Sequence, residues 1–152
     1  MHTTPFVGTL AAVTLLVFGG CAGPAWQTPV SAETHRDIKN FVDFNISSIS
    51  ELERRLEASD TKEEFIKTLD FAASTVSSVS ARRKLLVTRY PALAGRSTPP
   101  PQIKEELDRL GKFLVSKVYV IQALHAGAIR YGSHPSVMQA LQKLGASTNR
   151  GD

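Results

Sequence analysis

Between Glu33 and Leu144 apolar residues recur every three or four positions, in three long runs and one short one. This is the period of helices that each bury one face. The first predicted helix covers about Glu33 to Ala58, with Ile38, Phe41, Val42, Ile49, Leu52 and Leu56 on its stripe. Ser59-Asp60-Thr61 interrupts it. Thr61 with Glu64 three residues on is a capping box, and Asp60 is a competing N-cap. The second helix runs to about Tyr90 with Phe65, Leu69, Ala72, Val76, Val79 and Leu86 on one face. Pro91 stops it, because a residue before proline is pushed out of the helical region. PALAGRSTPPP then reads as a loop with polyproline character at Pro99, Pro100 and Pro101.

The third helix is expected from about Gln102 to Tyr131, on Ile103, Leu107, Leu110, Leu114, Val118, Ile121 and Leu124. From Phe113 to Ile129 it is apolar nearly all round, so it should be the most buried of the set. Lys117, Gln122 and His125 argue against a membrane span. Gly132-Ser133-His134-Pro135 turns the chain into a short helix from about Pro135 to Leu144, with Val137, Met138, Leu141 and Leu144. No alternating run with hairpin signals is present. The expected fold is therefore all-α: an elongated antiparallel bundle of three long helices, with a short C-terminal helix capping one end. The bundle domain should occupy residues 33–145, followed by a disordered tail over 146–152.

The segment before the bundle has a different character. MHTTPFVGTLAAVTLLVFGG contains no Asp, Glu, Lys or Arg, and its apolar stretch from Phe6 to Phe18 is 13 residues long. A bilayer core needs roughly 20 residues, so this is the length of a signal-peptide h-region rather than a span. Val17-Phe18-Gly19-Gly20-Cys21 resembles the lipobox of bacterial lipoproteins, with Phe18 where that family usually has Leu and no Lys or Arg in the first five residues. The resemblance implies a signal peptide over residues 1–20 and lipid attachment at Cys21 through a thioether diacylglycerol and an N-linked, palmitate-type chain. Two or more chains hold a soluble domain on a membrane where one does so only marginally. Ala22 rather than Asp after the cysteine implies, by the same resemblance, sorting to the outer membrane, with the domain in the periplasm. An ordinary secretory signal cut after Ala32 is the alternative. Residues 21–32 then form a lipidated tether, AGPAWQTPVSA after the cysteine. Trp26 either sits at the lipid interface or covers the folded domain, and the second is preferred.

Composition narrows the job by exclusion. One cysteine closes no intrachain disulfide and makes no cysteine-based zinc site. There is no Glu-x-x-His, His-Glu-x-x-His, Gly-x-Ser-x-Gly, Walker loop or Cys-x-x-Cys-His. No cofactor, metal or catalytic residue is therefore assigned. The formal charge of +4 is mild, and nucleic acid is a poor partner for an exported chain with 7% aromatic residues.

Charge is uneven along the chain. Residues 33–60 sum to −3, residues 61–90 to +3 and residues 91–152 to +4. Arg82, Arg83, Lys84, Arg89 and Arg96 gather near the end of the second helix. Arg82, Arg83, Lys84 and Arg89 are the candidate docking patch for an acidic partner or lipid phosphates; the bland reading is favourable charge at a helix C-terminus. Polar residues interrupting apolar faces give a second candidate. Arg83, Lys117, Gln122 and His125 are the possible lining of a pocket between helices, with Asp37, Glu106 or Asp108 as partners for Arg83. Asn45, Thr75 and Lys117 are expected in one middle layer. His35 and His134 read as surface or capping residues. Two functions fit: a non-enzymatic envelope adaptor recruiting a protein partner, or a periplasmic small-molecule binder or small helical enzyme.

Overall fold

In a computed structural model, residues 25–26, 29–95 and 98–149 are described; the predicted signal peptide, Cys21 and Arg96 lie outside them. The described chain is all-helical, with five α-helices: α1 (Ala32–Glu57), α2 (Lys62–Arg89), α3 (Pro101–Ser116), α4 (Val118–Tyr131) and α5 (Pro135–Asn149). Pro91–Ala94, expected as loop, forms a 3-10 turn.

Local chemistry sets the ends of these helices. The Ser31 hydroxyl accepts from the Thr34 amide at 3.0 Å and caps α1. The capping box at α2 is present in both directions: the Glu64 amide donates to Thr61 Oγ1 at 3.2 Å, and the Thr61 amide donates to Glu64 Oε2 at 3.0 Å. Four residues join α1 to α2, so the two helices run back along one another. Arg89 at the end of α2 accordingly meets Glu33 and Asp37 at the start of α1.

The expected single third helix is two helices. At Lys117 the backbone reaches φ −106° and ψ 13°. The Lys117 amide turns back to the Leu114 carbonyl at 3.1 Å, and Val120 donates to Lys117 at 2.9 Å. Ser116 Oγ donates to the Phe113 carbonyl at 2.7 Å. Such three-residue bonds tighten and end a helix. Before this break α3 runs beside α1 in the same direction, joined by His35–Glu106, Arg109–Asp43 and Lys117–Glu53 contacts. After it, α4 crosses the end of the bundle where α1 turns into α2, and Tyr131 Oη donates to the Asp60 carbonyl at 3.0 Å.

Two apolar cores result. One joins Ile38, Phe41, Val42, Val79, Leu86, Leu93 and Ile103, with Trp26 and Val30 packed against it. The other joins Leu52, Phe65, Leu69, Ala72 and Ala73 with Val120 and Leu124 of α4 and Val137, Ala140 and Leu144 of α5. The predicted stripes of the first two helices are thus the buried ones. Three further expectations are corrected. The fourth predicted helix does not cap an end: α5 lies along the N-terminal half of α2, with Lys143 on Asp70 at 2.6 Å, and it continues to Asn149 instead of fraying from 146. The Phe113–Ile129 region is not the most buried either. Val115, at the end of α3, is exposed, and so are Val118, Tyr119 and Ile129, because α4 touches the core through the side bearing Val120 and Leu124.

One acid-linked consequence follows from α1. Hydrogen bonds from Arg54, and secondarily Arg55, hold the Glu51 carboxyl down at about 2. A depressed carboxylate stabilises the fold above its unfolded value of roughly 4.3 and loses that contribution as pH falls through the folded value. Carboxyl-carbon NMR should place the Glu51 midpoint near 2. A midpoint close to the unfolded value would mean that the Arg54 and Arg55 bonds do not persist in solution.

Candidate functional site

The docking residues foreseen in the sequence occupy the last third of α2, and the fold divides them. Arg89 is committed to its own bundle: its guanidinium reaches Glu33 and donates to Asp37 Oδ2 at 2.8 Å, while Tyr90 Oη donates to the same carboxylate oxygen at 2.8 Å. Those anions, Glu33 foremost, raise Arg89 further, and burial followed by Asp37 raises the Tyr90 phenol. Arg83 is half-buried on the inward side. The acids anticipated for it make other contacts: Asp37 with Arg89 and Tyr90, Glu106 with Arg109 at 2.7 Å, and Asp108 with Lys104.

Arg82 and Lys84 are exposed. The Arg82 guanidinium lies over the Phe44 ring, 4.0 Å from its centroid. Between the two cations in helical projection stands Leu85, an apolar side chain 69% exposed. Periodicity did not flag Leu85, although it follows Lys84 directly and falls outside the predicted stripe. Arg82, Lys84 and Leu85 together make an apolar spot rimmed by positive charge.

The four pocket candidates are not brought together. Gln122 and His125 are exposed on α4. Lys117 is half-buried beside the far end of α1, where Nζ donates to Glu53 Oε2 at 2.6 Å and approaches Tyr119 Oη at 3.1 Å. Arg83 belongs to the opposite end, because α2 runs back toward the start of α1. Of the supposed middle layer, Lys117 goes to Glu53, about two turns along α1 from Asn45, and Asn45 Nδ2 donates to the Phe41 carbonyl of its own helix at 2.7 Å, satisfying a buried amide locally. His35 lies 3.7 Å from Glu106, and His134 is exposed ahead of α5.

A cleft of about 380 Å³ opens instead where the tether enters the fold, lined by Trp26, Ser31, Thr34, Arg89, Tyr90 and Pro91. Its polar groups largely bond one another: Ser31 and Thr34 hydroxyls lie 2.8 Å apart, and Arg89 and Tyr90 hold Asp37. This arrangement locks the tether, the start of α1 and the end of α2 together. Among the described residues no group of three or more His, Cys, Asp or Glu is placed to hold a metal ion, and no helix is long and apolar enough to cross a membrane.

No protein-family model matches this chain, and neither curated proteins nor solved structures contain a significant match to it. Function therefore rests on the residues themselves.

Proposed function

We propose that this chain is a membrane-anchored periplasmic lipoprotein, an elongated helical bundle that acts as a non-enzymatic adaptor of the cell envelope. The observation carrying this reading is the seat of Trp26. Its ring is half-buried against the core formed by Ile38, Leu86 and Ile103, so the fold begins five residues after Cys21. At roughly 3.6 Å per extended residue, those five residues reach about 18 Å. Acyl chains on Cys21 would hold this end of the bundle close to the headgroups. Arg82, Lys84 and Leu85 belong to the same end, at the C-terminal part of α2, and suit a partner offering carboxylates around an apolar side chain. The outer membrane is the proposed address, from the residue after the cysteine.

Intact-mass measurement on the native membrane fraction tests the anchor. The expected mature chain starts at Cys21 and carries added acyl mass, whereas Cys21→Ala carries none and keeps residues 1–20. An unmodified chain starting further on would overturn the lipoprotein reading. A start that keeps Trp26 would favour the second one, a secreted small-molecule binder, whose support is the cleft beside Trp26 and Tyr90 rather than Lys117, Gln122 and His125, whereas a cut after Ala32 would remove Trp26 and Ser31 and that support with them.

A further inference from the structure

The cleft at the tether end has a lining of distinct chemistry. Trp26 and Tyr90 give it two half-buried aromatic side chains, and Pro29 and Pro91 add two exposed pyrrolidine rings. Its polar groups are unevenly spent. The Ser31 and Thr34 hydroxyls bond each other, Ser31 Oγ also accepts the Thr34 amide, and Tyr90 Oη donates to Asp37. Arg89 uses two of its five N–H groups, on Asp37 and Glu33. No hydrogen bond engages the Trp26 indole N–H among the described residues. The lining therefore keeps mainly donors open, beside flat apolar faces.

Charge narrows the occupant further. Among the described residues that line the cleft, Arg89 alone is ionised, and Glu33 and Asp37 neutralise it from outside the lining. An anionic ligand finds that cation already taken, and a cationic one meets Arg89 itself. A sugar ring brings a donor with nearly every acceptor, and few acceptors are free here. The matching ligand is neutral, rich in acceptors, poor in donors, and carries flat apolar rings. A proline-rich segment has all of these properties. Proline has no N–H. A polyproline II helix makes no internal hydrogen bonds, so its carbonyls are free to accept. Such helices dock in grooves lined by aromatic side chains, and because they are preformed they lose little chain entropy in doing so. The chain's own Pro99-Pro100-Pro101 is not the occupant, since Pro100 is buried and Pro101 opens α3.

We infer that this cleft is a peptide-docking site, which takes a proline-rich segment of a partner in the polyproline II conformation. Pyrrolidine rings lie on Trp26 and Tyr90, and N–H groups of Trp26 and Arg89 donate to backbone carbonyls. At about 380 Å³ the cleft is at the small end of ligand sites. It therefore holds a short stretch of peptide, with modest affinity. Arg82, Lys84 and Leu85 belong to the same end of the bundle, so an adaptor would grip its partner at two points. The inference assigns the cleft to a peptide and not to a small molecule. It needs Trp26 in the mature chain and does not need the lipid anchor.

Trp26 is the chain's only tryptophan, so its fluorescence reports the cleft directly. The detergent-solubilised full chain and its Cys21→Ala variant are titrated with acetylated, amidated hexaproline and with a Gly-Ser peptide of the same length. Hexaproline should change the emission saturably in both chains, and the Gly-Ser peptide should not. Ala25→Arg puts a long side chain at an exposed position of the lining, where the fold tolerates it, and should abolish the response. Trp26→Phe keeps an aromatic ring and loses the indole N–H. Followed by calorimetry, it should weaken binding about fivefold, the worth of one neutral hydrogen bond. No saturable response to hexaproline, an equal response to the Gly-Ser peptide, or a response that survives Ala25→Arg each overturns the proposal. Saturation by glycine betaine or glucose with none by hexaproline overturns it in favour of a small molecule. A mature chain that starts after Trp26 overturns it as well, because one aromatic side of the cleft is then missing. The titration reads equally well on acylated and unacylated chain, so failure of the anchor and failure of the cleft are separately visible.

Discussion

Replacing Phe65 by Ala should destabilise the fold by about 3–5 kcal/mol, the usual cost of emptying an aromatic site in a core. Phe65 is 2% exposed at the first turns of α2, in the core where α1, α2, α4 and α5 meet. Its ring packs against Tyr131, with centroids 5.6 Å apart, and against Gly127 of α4. That glycine is needed for space. A methyl group there would stand 2.3 Å from Phe65 Cε2, and the ring is buried and cannot swing aside. Gly127→Ala therefore sets overpacking, about 1–3 kcal/mol, against a gain in helix propensity of about 1 kcal/mol. At this distance overpacking wins, and the variant should be less stable. Phe65→Leu should relieve it, so the double variant loses less than the sum of the single ones. Urea unfolding of the four chains measures each step. A Gly127→Ala protein as stable as the parent would show that α4 does not lie against Phe65.

This contact also shows how far the sequence alone could be read. Periodicity found the stripes of α1 and α2 because each long helix meets neighbours on one side only. Thr61, Glu64 and Pro91 marked their ends because capping and proline geometry are local. The end of α3 was missed because Ser116 and Lys117 are ordinary helix residues, and the turn forms from three-residue hydrogen bonds without glycine or proline. From Phe113 to Ile129 apolarity was taken for burial. Composition reports what a face is made of and not what covers it, and on α4 one apolar face packs on Phe65 while the other meets water. The polar candidates are divided for a related reason. Angular bookkeeping placed Arg83 on the inner side of α2, where it lies half-buried, but could not foresee that Lys117 would find Glu53 across the α1–α3 seam.

The division of the basic cluster decides how the adaptor reading should be tested. Replacing Arg82, Arg83 and Lys84 together would mix surface with packing, because Arg83 is half-buried. Arg82→Gln, Lys84→Gln and Leu85→Gln in one chain removes the exposed spot and leaves Arg83 and Arg89 in place. The Arg82 stack on Phe44 is worth about 0.5–1 kcal/mol at an exposed site. Other surface changes usually stay within about 0.5 kcal/mol. The triple variant should therefore fold with at most a small loss of stability. Its effect should fall on association: cross-links formed in the envelope by a photo-reactive residue at position 81 or 88 should disappear. An apolar anchor inside a charged rim commonly carries most of the energy of a contact, so loss should be near complete, with Leu85→Gln alone giving most of it. Raising salt should weaken the parent's cross-links through screening of Arg82 and Lys84. If the cross-links persist in the triple variant, the docking surface lies elsewhere, even where Cys21 proves to be acylated.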